Sequence, residues 1–402
     1  MSMKLVKGVL YGEGEHHEKP KQTHIIIIGA GLTRLLLAQG LRKLNARLEA
    51  EGQSAPFTFS IHERDESSFY RGGGFSLNIH WALQQLYDIL PEELSARIFD
   101  QMGSFTFLNL QTGEPALKTT IPPGWKGARM SRVRFLQLLM TNLDIHYSHR
   151  LSQITFPTDD TVRAHIENGD QETGYLLIGA DGTNSVVRRF VYGAENSKNT
   201  QLPIRMLNCR SEYPLEELKA CLRVDPHLFH AGIPCKMAIL CSLFWICRRR
   251  GRRTETPSDP PPELPEQLAW LKHMAKHWAN PVHDLIYGMP DDSIVQVIRV
   301  QEWMPNDANR RPTDGRITTV GDAAHLMTSF RGENANHGVV DVAQLLALLA
   351  PSGNKPTDLK EVASTYEKEM VQRSRPPTVK AQEACLDANH YSKITSDSPF
   401  LS

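Results

Sequence analysis

The residues of this chain whose types and spacing could do chemistry are glycines and carboxylates in three separated segments. Gly29-Ala30-Gly31 follows the apolar, β-branched run His24–Ile28 and precedes Leu35, Leu36, Ala38, Leu41 and Leu44 at helical spacing. Glycines in a strand-to-helix turn let backbone N–H groups at the helix N-terminus approach a pyrophosphate. A second strand pattern, Phe57–His62, ends on Glu63, where a carboxylate can accept hydrogen bonds from ribose hydroxyls. Strand, glycine turn, helix, strand and terminal acid together predict a dinucleotide site, against the blander reading of a βα turn that holds no phosphate.

Two further segments extend the pattern. Gly179-Ala180-Asp181-Gly182-Thr183-Asn184-Ser185-Val186-Val187-Arg188 follows another short buried run, and Gly321-Asp322-Ala323-Ala324-His325 precedes the loop Arg331-Gly332-Glu333-Asn334-Ala335-Asn336 and an apolar helix. In this order and separation, from Thr23 to Ala350, the three segments resemble the fingerprints of the FAD-dependent aromatic hydroxylases, the single-component class A flavoprotein monooxygenases. The resemblance implies an α/β fold: an FAD-type, glutathione-reductase-like Rossmann domain with an inserted β-rich substrate lobe, as in p-hydroxybenzoate-hydroxylase-like proteins. It implies that Gly29 and Gly31 lie beneath the FAD pyrophosphate, that Glu63 binds the adenosine ribose, and that Arg132 of Met130-Ser131-Arg132 contacts the cofactor. Asp181 would touch FAD and NADPH, and Asp322 would bind the ribityl hydroxyls. Gly74, in Arg71-Gly72-Gly73-Gly74, would pass close to the isoalloxazine ring, and Ala335, in the segment Gly332–Asn336, would lie at the flavin pyrimidine edge.

The implied activity is an FAD-dependent monooxygenase, an oxidoreductase. NAD(P)H would reduce the flavin, O2 would be activated on it, and one oxygen atom would hydroxylate or epoxidise a hydrophobic, aromatic or polyketide-like small molecule of secondary metabolism. No separate nicotinamide-binding Rossmann unit is visible, as the family leads one to expect. A halogenase on the same scaffold is disfavoured because a Trp-x-Trp-x-Ile-Pro motif is missing. The residue types do not single out a catalytic acid or base.

Three positions depart from the family pattern. Arg34 stands where the third glycine of the first turn is usual, Ser329 where a proline is usual, and Asn334 at the second glycine of the flavin-side loop. A long cation at Arg34 must displace something or pair with the pyrophosphate, and Asn334 suits a left-handed backbone but brings a side chain toward the ring. The alternative these departures raise is a flavin-fold descendant that has lost FAD and catalyses a cofactor-independent cyclisation, rearrangement or hydration. Arg34, Arg71, His325, Arg331, Glu333 and His337 would then be candidate acids and bases.

These residues need a scaffold. Residues 1–23 read as an N-terminal extension, 24–199 as the FAD-binding region with part of the substrate lobe, and 200–310 as the β-rich lobe. Residues 311–352 would complete the FAD-binding domain, and 353–402 would form a C-terminal helical segment. Within this frame Arg132–Asn142 and Gly338–Ala350 read as helices, Thr161–Glu167 and Met237–Cys247 as strands, and Thr254–Pro265 as a loop.

Composition sets the outer bounds. The chain has 402 residues, with 45 Lys and Arg against 45 Asp and Glu, so no global field attracts nucleic acid or an anionic membrane. The basic run Arg248–Arg253 reads as a solvated segment beside the proline-rich loop. No apolar stretch reaches the roughly 18 residues a membrane span needs, and no leader or lipidation signal is recognisable, so a cytoplasmic protein is expected. Six scattered cysteines form no Cys-x-x-Cys pair, and His273, His277 and His283, like His146 and His149, read as solvated faces in preference to a metal site. Phe244, Trp245, Trp303 and Met237 are read as substrate-lobe lining or as core, with nothing to rank the two. Oligomeric state is not legible.

Overall fold

A computed structural model describes residues 22–399, less 53–55, 68–75, 99–104, 120–126, 159, parts of 211–228, 233–237, 242–243, 248–260, 262–263, 351–357, 390–392 and 394–396. Gly74, Arg71, most of the extension, Met237 and Arg248–Arg253 lie outside the described residues.

Eight elements carry the cofactor-facing half. In chain order they are β1 (Thr23–Ile28), α1 (Leu32–Ala50), β2 (Phe57–His62), β3 (Leu176–Gly179), α2 (Val186–Asn196), β4 (Ile317–Thr319), α3 (Asn334–Leu349) and α4 (Leu359–Ala388). The four strands form one parallel sheet in the order β4-β3-β1-β2. Ile25, Ile26 and Ile27 are fully buried, as a central parallel strand covered on both faces requires. Register does the positioning: Ile28 pairs with Gly179 on one side and His62 on the other, and Gly179 pairs with Thr319. Residues just past these pairs, Gly29, Glu63, Asp181 and Asp322, therefore emerge at one carboxyl edge of the sheet, the edge at which open α/β sheets bind ligands.

A seven-stranded sheet forms the second layer, built from 294–302, 200–210, 244–247, 238–241, 229–232, 105–109 and 115–119 in that spatial order. It draws two strands from before residue 120, so the chain enters the lobe twice. Met237–Cys247, expected as one strand, is instead an antiparallel pair, 238–241 against 244–247, with Ala238 opposite Cys247. Folding back lets the run satisfy its own backbone groups, which one edge strand of that length could not do.

The largest core packs α1, the β1–β4 sheet, α3 and Tyr366 of α4 around Leu35, Leu36, Leu41, Val339 and Leu345. Trp303 belongs to a second core with Tyr192 and Val191, its indole N–H donating to the Asn196 carbonyl at 2.9 Å. It is therefore packing, and the reading of Trp303 as a substrate-lobe lining residue is set aside. The helix expected from Gly338 begins four residues earlier, at Asn334.

Candidate FAD site

Gly29 has φ +107°, a backbone that strains any L side chain, and Arg34 lies against the turn: a Cβ on Gly29 would lie 1.1 Å from Arg34 Nη1, and one on Gly31 would lie 2.6 Å from Nη2. The reason is helix geometry. Side chains in the first turn lean toward the helix N-terminus, so Arg34 folds back over the turn and lays its guanidinium on both glycines. Helix-to-sheet packing does not require a glycine at position 34, because the side chain leaves that interface altogether. The N-cap of α1 is Gly31, with no side-chain cap, which leaves the first backbone N–H groups available to an anion.

Glu63 is buried opposite. One carboxylate oxygen accepts from Ala30 N–H at 2.5 Å and lies 3.6 Å from Arg34 Nη1, and the other accepts from Asp65 N–H at 3.0 Å. Burial pulls the Arg34 guanidinium down from its ordinary value, and the charges of Glu63 and Asp181 oppose that pull. The backbone around Glu63 is clamped as well: Gly29 N–H donates to the His62 carbonyl at 2.5 Å, and Glu63 N–H to that of His146 at 2.8 Å.

Asp181 divides its carboxylate. Oδ2 caps α2 by accepting from Val186 N–H at 2.6 Å and Val187 N–H at 3.3 Å, while Oδ1 is buried with no hydrogen-bond partner. An orphaned buried acceptor beside a glycine cradle fits a ligand hydroxyl or amide. Asp322 is raised by burial, with the charges of His325, Arg188, Arg34 and Arg132 opposing. Burial lowers Arg132 and brings Arg188 down to about 10. Three guanidiniums, one helix N-terminus and three carboxylates thus share one edge, and that donor set suits a diphosphate flanked by polyols.

The third motif closes the edge. Gly321 (φ +61°) leaves no room for a Cβ, which would meet Thr33 Oγ1 at 2.6 Å. Asn334 does not take the left-handed backbone expected for it. It opens α3, and its Nδ2 donates to the Met327 carbonyl at 2.6 Å, while its Oδ1 is buried and unpartnered. The left-handed position is Gly332, at φ +65°. Ser329 starts a short 3-10 turn and faces solvent, where a proline is dispensable. Ala335 lies half-buried in the first turn of α3. Arg331 and Glu333 pair with one another at 3.0 and 3.1 Å, which occupies both as acid–base candidates.

Sequence reasoning passed over four groups. Arg188 is buried in α2, donates to the carbonyls of Asp322 and Thr183 and to Asn199, and lies over the Trp303 ring at 4.7 Å. Fully buried Asn336 ties the segment at 78–82 to the flavin-side loop: it accepts from His80 N–H at 2.8 Å and donates to the carbonyls of Asn78 and Gly332. Asp341 is fully buried and accepts from Gly321 N–H at 2.7 Å, His325 Nε2 at 2.8 Å and Arg373 Nη2 at 2.8 Å. Its signal was present in the sequence as a lone charge in the apolar stretch Val339–Ala350. Finally His146 and His149, expected on a solvated helix face, lie outside any helix and stack with buried His62 at 5.2 and 5.3 Å between ring centres. Among the described residues no group of three or more His, Cys, Asp or Glu could hold a metal ion. No described helix is long and apolar enough to cross a membrane.

Comparison with known proteins identifies the family of the chain. The family model for an FAD binding domain matches residues 137–375. The chain is 83% identical over 391 residues to a protein of Aspergillus terreus called FAD-dependent monooxygenase tazP, covering 90% of this chain and 97% of that one. It is 34% identical over 351 residues to FAD-dependent monooxygenase dbaB of Emericella nidulans, covering 80% and 85%. Among solved structures, 2,6-dihydroxypyridine-3-hydroxylase from Arthrobacter nicotinovorans superposes with a TM-score of 0.72 at 16% identity, covering 96% of this chain and 97% of that one, a likeness of fold. The chain belongs to the FAD-dependent monooxygenases of the aromatic-hydroxylase family.

Proposed function

We propose that this protein uses NAD(P)H and O2 to hydroxylate or epoxidise a hydrophobic, aromatic or polyketide-like small molecule in the biosynthesis of a secondary metabolite, in the cytoplasm. The observation that carries the reading is the convergence of Gly29, Gly31, Glu63, Asp181 and Asp322 at one sheet edge, with the guanidiniums of Arg34, Arg132 and Arg188 facing the carboxylates.

In this reading Gly29 and Gly31 seat the pyrophosphate, and Arg34 turns from Glu63 to pair with it. Glu63 then accepts from the adenosine ribose, Asp181 Oδ1 from a cofactor hydroxyl or amide, and Asp322 from the ribityl chain. Arg132 balances the charge of the diphosphate, and the first turn of α3, with Ala335, presents N–H groups to the pyrimidine edge. Gly74 is carried by the family resemblance. The redox chemistry, reduction by NAD(P)H and activation of O2, is what FAD supplies when bound. The protein binds, orients and excludes water. The proposed division is an N-terminal extension (1–23), an FAD-binding region (24–199, with part of the substrate lobe, completed by 311–352), a substrate lobe (200–310) and a C-terminal helical segment (353–402). It is supported by the two sheets and by the pairing of β3 with β1 and of β4 with β3 across long insertions.

A visible absorption spectrum of the purified protein tests this, taken before and after incubation with FAD and desalting, and again with NADPH under air. The expected result is a retained flavin band that bleaches with NADPH and recovers with oxygen. A colourless protein that refuses FAD overturns the reading and leaves cofactor-independent chemistry in the same fold.

A further inference from the structure

The C-terminal helix α4 touches the third motif at several points along its length. The Tyr366 hydroxyl donates to the Thr319 carbonyl at 3.0 Å, one residue before the Val320–Gly321 turn. Thr328, past that turn, donates through its hydroxyl to the Ala381 carbonyl at 2.6 Å. Between these two, Arg373 reaches Asp341 Oδ1 at 2.8 Å, and Asp341 Oδ2 takes the Gly321 N–H. Glu369, one turn earlier on α4, holds Arg373 by its Nε at 2.7 Å.

Gly321 is where backbone freedom and close packing meet, since Thr33 fills the space beside it. The N–H of that residue is a fixed donor, and the carboxylate of the next residue is Asp322. Burial alone would raise the Asp341 carboxyl, yet the charges and hydrogen bonds of His325 and Arg373 hold it well below the usual carboxylate range. A buried anion is held by the Arg373 guanidinium and the His325 ring, and one of its oxygens is spent on a backbone N–H of the cofactor turn. Removing Arg373 would leave that anion underpaired and free to draw away from Gly321.

We propose that Arg373, acting through Asp341, is a positioning residue for the flavin edge: α4 splints the Gly321–Asp322 turn and so sets the carboxylate that meets the ribityl chain. The inference rests on the assignment of Asp322 to the cofactor. It makes the middle of α4, and not the glycine motifs alone, a determinant of how tightly the cofactor is held.

The test is FAD affinity, measured by quenching of flavin fluorescence on titrating FAD into FAD-depleted full-length protein, beside the melting temperature of the same FAD-free samples. Arg373→Met is expected to raise the Kd for FAD about tenfold, and Arg373→Lys, which restores the cation without the planar fork, to recover most of that loss. Glu369→Gln, which loosens Arg373 but leaves its charge, is expected to raise Kd about threefold, and it serves if Arg373→Met does not fold. Parent-like Kd in both Arg373→Met and Glu369→Gln overturns the inference. So does a loss of affinity in Arg373→Met that Arg373→Lys leaves unrepaired, since a purely steric role would behave that way. Asp322→Asn separates the two readings. If it leaves Kd unchanged, the assignment of Asp322 fails; if it weakens FAD while Arg373→Met does not, the splint alone fails.

Discussion

The two ends of the proposed cofactor edge are built by different means. At the ribose end, Gly29, Gly31, Arg34 and Glu63 come from one stretch of about forty residues, and their contacts follow from a strand, a turn, a helix and a strand in succession. At the flavin edge, Gly321 is held by Asp341 and Arg373, and Asn336 reaches back to His80 across 256 positions. The first is a local motif, braced from farther along the chain by the sheet and by the loop at His146 and His149. The second is a tertiary network in which buried polar groups are satisfied from several helices. A local motif tolerates a changed residue if its side chain has somewhere to go, as Arg34 does, whereas a buried network has no such slack.

The sharpest way to break this contrast is Glu63→Gln. It leaves Arg34, with only 14% of its side chain exposed, without its counter-ion. A cost of about 3 kcal/mol in stability and a rise in the Kd for FAD of about a hundredfold are expected, read by chemical denaturation and FAD titration. If Glu63→Gln weakens FAD less than Arg373→Met does, the tertiary network and not the local motif is the main determinant of binding.

Acid titration compares the ends directly, because each holds a buried histidine. Burial, assisted by the charges of His146 and His149, lowers His62 from 6.5 to about 4, with His24 adding to that effect and Asp170 opposing it. Burial, with His325 and Arg373, lowers His337 to about 3, against the opposing charge of Asp341. In each case the unfolded chain takes up a proton that the folded chain refuses. The stability is therefore fully present above pH 6.5, the ordinary value, and is lost as pH falls toward 4 at His62 and toward 3 at His337. At about pH 5 each histidine is expected to cost about 2 kcal/mol relative to neutral pH. His62→Gln and His337→Gln should each flatten part of that acid limb in denaturation curves, and a variant that leaves the limb unchanged would remove its histidine from this account.

The smallest effect concerns Arg34. Arg34→Gly restores the usual glycine and is expected to raise the Kd for FAD about tenfold and to reduce its dependence on ionic strength, since one phosphate-facing cation is gone. Tighter binding by Arg34→Gly would show that the guanidinium obstructs its own cradle, and would make the ribose end the weaker half of the site.

Much of this protein was legible from its residues. The run Ile25–Ile28 had to be a buried parallel strand, and Gly29-Ala30-Gly31 had to be a tight turn leading into a helix. Glu63 had to stand at the end of the next strand. These follow from local sterics and from the continuous apolar run of a strand buried on both faces, which act between neighbours and so leave a trace in sequence order. What tertiary structure decided is partnership. Asp341 was visible as an unexplained charge in an apolar helix, but its partners lie 20 and 32 positions away, on a turn and on another helix. His146 and His149 gave no sign of His62, because only the register of β2 against the loop at 146 brings the three rings together. Asn334 suits a left-handed backbone and instead opens a helix, since Gly332 two residues earlier absorbs the turn. A buried polar group must find its partner in space, and the chain offers many candidates at every distance. The sequence states that the group is there, and the packing of α3 against the Gly321 turn and α4 decides which atom answers it.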